Sequence, residues 1–110
     1  MNRVLRKIKK LWPDADPQEI LDLLNEYGKE SYETGVERVR LAVLKLSRGD
    51  RERLPELVKM AKADFRDVLA YAEYPEEMRT DPAEMRDMPA GKAKSIRRRD
   101  RDQYEQWLKE

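Results

Sequence analysis

The sequence of 110 residues contains no cysteine and no histidine. Disulfides and thiolate chemistry are therefore excluded, and the commonest protein ligands of zinc, copper and haem iron are missing. The di-iron sites of helical bundles are excluded for the same reason, since they need histidine beside their carboxylates. Only four glycines are present, and none belongs to a glycine-rich loop that holds a nucleotide phosphate. We therefore predict no catalytic residue, no metal site and no cofactor, and a protein that is not an enzyme.

Long apolar runs are also missing. No segment approaches the roughly 20 consecutive apolar residues that a membrane-spanning helix needs. Residues 1–12, MNRVLRKIKKLW, lack the continuous apolar stretch and the small-residue cleavage site of a secretory signal. The sequence therefore predicts a cytoplasmic protein without a membrane span. No motif in it is specific enough to indicate a family.

Charged residues, by contrast, are abundant. They make up 43% of the chain, yet the formal net charge is only +1. Such a composition is typical of disordered segments when the sequence is also of low complexity. Here the apolar residues recur with a helical period, so the composition predicts helices whose outer faces are solvated.

Two apolar stripes dominate the middle of the chain. Their members are separated by alternating steps of three and four residues, a spacing that keeps side chains on one face of a helix. The stripes consist of Tyr32, Val36, Val39, Val43 and Leu46, and of Leu54, Val58, Ala61, Phe65, Val68 and Ala72. We predict an antiparallel helical hairpin of residues about 30–47 and about 51–74, in which the two stripes face each other.

Two shorter helices precede the hairpin, at about 2–12 and about 17–27. Asp16 is a predicted N-cap, with Pro17 at the first helical position. Because Pro55 lies one turn inside the second helix of the hairpin, that first turn is expected to be irregular. The predicted fold class is all-α, a small helical bundle built on the hairpin.

The chain changes character after residue 74, where prolines and a glycine interrupt any long helical pattern. We predict an extended C-terminal strap over 75–94 that ends in a short helix capped by Ser95. Arginines in the first turns of that helix oppose the helix dipole, so it needs support from other segments. The predicted domains are a helical bundle of residues 1–74 and a strap with a terminal helix, 75–110, which is partly ordered or partner-dependent.

Several apolar residues lie outside the two stripes and have no predicted cover. Either the remaining helices of the chain cover them, or a second copy or a helical protein partner does. We predict a small interaction or regulatory module, a homodimer or a protein bound to a helical partner. The candidate partner-binding residues are Leu41, Leu44, Met60, Tyr71, Tyr74 and Trp107.

An alternative function comes from clustered positive charge. Arg97, Arg98, Arg99 and Arg101, together with the basic first helix, are candidates for binding nucleic acid or another acidic surface. Each basic block lies next to an acidic block, so pairing within the chain explains the pattern without a partner and is the favoured interpretation. The aromatic residues that normally accompany a site for single-stranded nucleic acid are absent from the RRRDR segment, which counts against that ligand.

Overall fold

The structure is a computed structural model that describes residues 2–110. All regular secondary structure in that range is helical, which confirms the all-α class. A short 3-10 turn, Arg51–Arg53, precedes the fourth helix. The α-helices are α1 (Arg3–Leu11), α2 (Pro17–Leu24), α3 (Val36–Ser47), α4 (Leu54–Ala63), α5 (Phe65–Glu73), α6 (Pro75–Arg79), α7 (Pro82–Asp87) and α8 (Ala90–Lys109).

The first compact unit extends to Leu69 and has the predicted bundle architecture. Helix α3 packs against α4, as the two stripes predict, and also against α1. Helix α2 contacts both α1 and α4, so the four helices enclose one core. The buried residues of this core are Val4, Ile8, Ile20, Leu24, Tyr27, Val39, Leu41, Ala42, Val43, Leu44, Leu54, Leu57, Val58 and Ala61.

Two local predictions in this unit are confirmed. The Asp16 carboxylate accepts a hydrogen bond from the backbone N–H of Gln18 at 3.0 Å, and Pro17 begins α2. Ahead of Pro55 the chain forms the 3-10 turn, and α4 begins only at Leu54. Proline therefore lies in the first turn of α4, where its missing N–H costs no helical hydrogen bond.

The predicted start of the third helix near residue 30 is wrong. Helix α3 begins at Val36, because Gly35 adopts a left-handed conformation with φ +60° and separates the helix from the preceding loop. Tyr32, the first member of the predicted stripe, lies in that loop and is 72% exposed. The buried part of the stripe consequently begins further along the helix, at Val39.

The predicted long helix over 51–74 is divided at Asp64. This residue has extended backbone angles, and its carboxylate accepts a hydrogen bond from the backbone N–H of Arg66 at 3.1 Å. Aspartate favours this capping arrangement over a helix interior, and so α4 ends and α5 begins there. Val68 and Ala72 of the second stripe are nevertheless buried.

The predicted extended strap is also wrong, because residues 75–94 are largely helical. Prolines begin α6 and α7, in the helical position that tolerates a missing N–H, and Asp81 caps α7 by accepting a hydrogen bond from Ala83 N–H at 2.8 Å. Helix α8 begins at Ala90 and has 20 residues, so the last helix is long and Ser95 lies inside it. The prolines mark helix starts here rather than the absence of helices.

The second compact unit consists of Ala70–Glu110. Its first residue lies inside α5, ahead of the predicted domain boundary after residue 74. Helix α6 packs against α8. The buried face of α8 carries Ala93, Ile96 and Asp100.

Candidate functional site

One face of α8 carries a row of cations. Lys94, Arg97, Arg98 and Arg101 are three, one and three residues apart, so they share one side of the helix over two turns. Together with Tyr74, from the turn between α5 and α6, they line a groove of about 360 Å³. We call this the basic groove.

Three of the cations in the basic groove lack a partner within the described chain. No described residue forms an ion pair or a hydrogen bond with the side chains of Lys94, Arg98 or Arg101. Arg97 has one contact, in which its Nε lies 3.3 Å from Oε1 of Glu77. Like charges four residues apart on a helix destabilise it by about 0.2–0.5 kcal/mol per pair. Repulsion within the row of cations therefore lowers the stability of α8 unless an anion approaches it.

Asp100 lies within the same basic segment but on the buried face of α8. It is only 1% exposed, and its two carboxylate oxygens accept hydrogen bonds from the backbone N–H groups of Glu76 (2.9 Å) and Glu77 (3.0 Å). These N–H groups belong to the first turn of α6 and have no partner within that helix. The negative charge also matches the positive end of the α6 dipole. Asp100 thus caps α6 from a different helix.

Arg99 does not belong to the basic groove. Its guanidinium binds Glu76 through two hydrogen bonds, from Nε to Oε2 at 3.0 Å and from the terminal nitrogen to Oε1 at 2.6 Å. The hydrogen bond from Arg99 holds the pKa of Glu76 below its usual value, and the same bond raises the pKa of Arg99. Of the four arginines predicted to bind anions, three therefore line the groove, and Arg99 instead holds α6 on α8.

Tyr74 supplies the aromatic ring that the basic segment lacks. Its side chain borders the basic groove, and the residue is 39% exposed. Tyr74 precedes Lys94 by twenty residues and reaches the groove because α6 packs against α8. Tyr74 is one of the predicted partner-binding residues, but no local pattern connects it with the arginines.

A second, smaller groove adjoins the basic groove and shares Tyr74 and Arg101 with it. Its volume is about 260 Å³. The ring of Tyr104 lines it and stacks on the ring of Trp107, with 5.7 Å between the ring centroids. We call it the aromatic groove, lined by Glu73, Tyr74, Arg101, Tyr104, Glu105 and Leu108.

The six predicted partner-binding residues do not form one exposed set. Leu41 and Leu44 are buried, at 2% and 0% exposure, because α3 packs against two helices and uses more than one apolar face. The expectation that they are available to a partner is therefore wrong. Met60 and Tyr71 are exposed, as is Tyr74, and Trp107 is half-buried in the second unit.

A second candidate site, the Glu33 cluster, lies in the first unit. The buried Glu33 carboxylate, in the loop before α3, accepts hydrogen bonds from the backbone N–H groups of Gly28 at 3.0 Å and Glu30 at 3.1 Å. Lys62 of α4 places its Nζ 3.1 Å from Oε2 of Glu33 and also donates to the carbonyl oxygen of Glu26 at 2.8 Å. No local pattern marks Glu33, because its charged partner Lys62 lies 29 positions further along the chain. The cluster ties the loop to α4.

The electrostatics of the Glu33 cluster favour a structural role. Burial by itself raises the pKa of Glu33, but hydrogen bonds from Glu30, Gly28 and Lys62 outweigh it and hold that pKa below its usual value. The hydrogen bond to Glu33 raises the pKa of Lys62. Both groups are therefore ionised at neutral pH, whereas a general acid or base needs a pKa close to the working pH. Glu33 and Lys62 also line a cleft of about 330 Å³. Its other lining residues are Tyr27, Tyr32, Ala61, Ala63, Asp64, Phe65 and Arg66.

The chain has no match among protein-family models, curated proteins or solved structures. Within residues 2–110, no three acidic side chains are grouped in a way that would hold a metal ion. Among residues 2–110, no helix combines the length and the apolar character of a membrane-spanning segment. The basic groove and the Glu33 cluster are the features from which a function can be derived.

Proposed function

We propose that the second unit binds a phosphate-bearing polyanion through the basic groove, and that the protein is a non-enzymatic binding module of the cytoplasm. The observation that carries this proposal is the convergence of Lys94, Arg98 and Arg101 in one groove without a partner in the described chain. Pairing within the chain accounts for Arg99 and partly for Arg97. It does not account for the other three.

Phosphate suits this groove for two physical reasons. Its oxygens accept hydrogen bonds from the planar fork of a guanidinium, and a lysine ammonium adds a point charge. Two pairs of like charges, Lys94 with Arg98 and Arg97 with Arg101, lie four residues apart, so a bound anion removes a repulsion that the free protein carries. Hydrogen bonds from α6 to Asp100 and from Arg99 to α6 hold α8, the helix that carries the cations, in place before a ligand arrives.

The test is the binding of fluorescently labelled inorganic polyphosphate, followed by anisotropy at several salt concentrations. We expect saturable binding that weakens as salt rises, because each phosphate contact releases counterions. The test variant combines Arg98→Gln with Arg101→Gln. The matched control combines Lys92→Gln with Arg86→Gln, two exposed cations of the same unit that do not line the groove. Both double variants have the same formal net charge, −1 instead of +1.

The groove variant is expected to lose most of the affinity, and the control variant to keep most of it. Equal losses in the two variants would mean that net charge, not the groove, attracts polyphosphate, and the proposal would then be wrong. Binding that does not respond to salt would contradict it as well.

The absence of catalysis is part of the same proposal. It is supported by Glu33 and Lys62, whose pKa values are shifted away from neutrality and not towards it. A homodimer or a helical protein partner stays a prediction, now without Leu41 and Leu44. Light scattering over a range of protein concentrations tests self-association: a constant monomer mass would contradict the homodimer.

A further inference from the structure

Building on the proposed function, we infer that the polyanion is a single-stranded nucleic acid, with phosphates in the basic groove and one base stacked on Tyr74 beside the aromatic groove. Tyr74 and Arg101 line both grooves, so a site for negative charge and a site for a flat ring meet at these two residues. A nucleotide carries the same pair of groups, a phosphate and an aromatic base.

The exposed ring of Tyr74 distinguishes this ligand from a chain of phosphates alone. Proteins that bind single strands combine a positively charged groove with aromatic side chains on which bases stack. Inorganic polyphosphate would satisfy the cations but would leave the Tyr74 ring and the aromatic groove empty. The RRRDR segment contains no aromatic residue, and the packing of α6 on α8 brings Tyr74 to its arginines.

The geometry favours a single strand over a duplex. Bases of a duplex are stacked inside the helix, so the Tyr74 ring can reach only a base that is unpaired. From Lys94 to Arg101 the row of cations spans seven residue steps, about 10 Å at 1.5 Å per residue. Glu105 follows Arg101 by one turn and lines the adjoining groove, and its charge ends the row. Such a short row suits a few phosphates of one strand.

The salt dependence can be estimated from the number of cations. Neutralising about three or four phosphates of a single strand gives a slope of roughly −2 to −3 in a plot of log affinity against log salt concentration. A rise from 50 to 200 mM salt would then weaken binding roughly 20- to 50-fold. Replacing Arg98 and Arg101 with glutamine should reduce the slope by about 1.4.

The experiment compares three labelled probes on the unmodified full chain: a single-stranded DNA oligonucleotide, an abasic deoxyribose-phosphate strand of equal length, and inorganic polyphosphate. We expect the oligonucleotide to bind on the order of 10-fold more tightly than the abasic strand, because one base is stacked. Tyr74→Ala should remove that difference between the oligonucleotide and the abasic strand, whereas Tyr74→Phe should keep it. The control is Tyr71→Ala, an exposed tyrosine of the same unit that lines neither groove.

The possible outcomes separate this inference from the proposed function. Equal affinities of the unmodified protein for the oligonucleotide and the abasic strand would overturn the inference and leave phosphate binding intact. The same oligonucleotide annealed to its complement serves as a comparison, and tighter binding of this duplex than of the single strand would also overturn the inference. If none of the three probes binds, the proposed function itself fails. The comparison of probes needs no variant, so it is decisive even if Tyr74→Ala does not fold.

Discussion

Replacing Asp100 with asparagine tests whether a charge from α8 holds α6 in place. The Asp100 carboxylate accepts two backbone hydrogen bonds, at 2.9 and 3.0 Å, and is 1% exposed. Asparagine keeps the shape but has one acceptor oxygen, so its NH₂ group would face one of the two backbone N–H groups. A hydrogen bond to a charged group contributes about 1.5–3 kcal/mol. We therefore expect the second unit to lose about 2 kcal/mol of stability.

The two tryptophans allow this loss to be measured in the second unit alone. Trp12 lies in the first unit and Trp107 in the second, so in a Trp12→Phe background the fluorescence reports on Trp107. With a urea dependence of about 2 kcal/mol per molar, the unfolding midpoint should fall by roughly 1 M. Asp102→Asn is the matched control, because it removes the same charge from an exposed position of the same helix. If Asp100→Asn and Asp102→Asn have the same midpoint, the capping explanation is refuted.

Two further predictions concern the first unit, read from Trp12 in a Trp107→Phe background. The pKa of Glu33 is lowered in the folded state, so the ionised carboxylate contributes its full stabilisation above about pH 5 and loses it as the pH falls through the pKa of the folded state. The urea midpoints of the protein with Glu33 and of the Glu33→Gln variant should therefore converge on acidification. A constant difference between the two midpoints at every pH would contradict this. Leu41→Ala should lower the free energy of unfolding by about 2–5 kcal/mol, because Leu41 is buried. Met60 is exposed, so Met60→Ala should lower it by less than about 0.5 kcal/mol. Similar losses in the two variants would mean that Leu41 is not part of the core.

The sequence predicts those parts of the fold that depend on neighbouring residues. The apolar spacing and the capping side chain of Asp16 act within a few positions, and the structure contains both. The errors occur where one residue has two local roles. Pro75 and Pro82 interrupt a preceding helix but also suit the first turn of the next one. When proline is taken only as a helix breaker, α6 and α7 are therefore not predicted.

The candidate site was predictable only in part, for a physical reason. The number of cations is visible in the sequence, and helical spacing places Arg98 and Arg101 on one face. Arg99 lies outside the groove because it binds Glu76, and Tyr74 borders the groove because α6 packs against α8. These contacts connect residues more than twenty positions apart, and no short-range pattern records them.

Neighbouring residues in the basic segment of α8 have different contacts, because successive side chains on a helix are rotated by about 100°. Asp100 and Arg99 are directed at α6 and hold it, while Arg98 and Arg101 line the basic groove. The contacts made by the first two offset the repulsion among the cations, so the groove keeps its shape without a ligand. An anion that enters therefore meets a helix that is already formed and held in place, and it orders only the side chains of the cations. We accordingly expect the helix content, measured by circular dichroism, to stay unchanged on binding; a gain in helix on binding would mean that the ligand itself orders the groove.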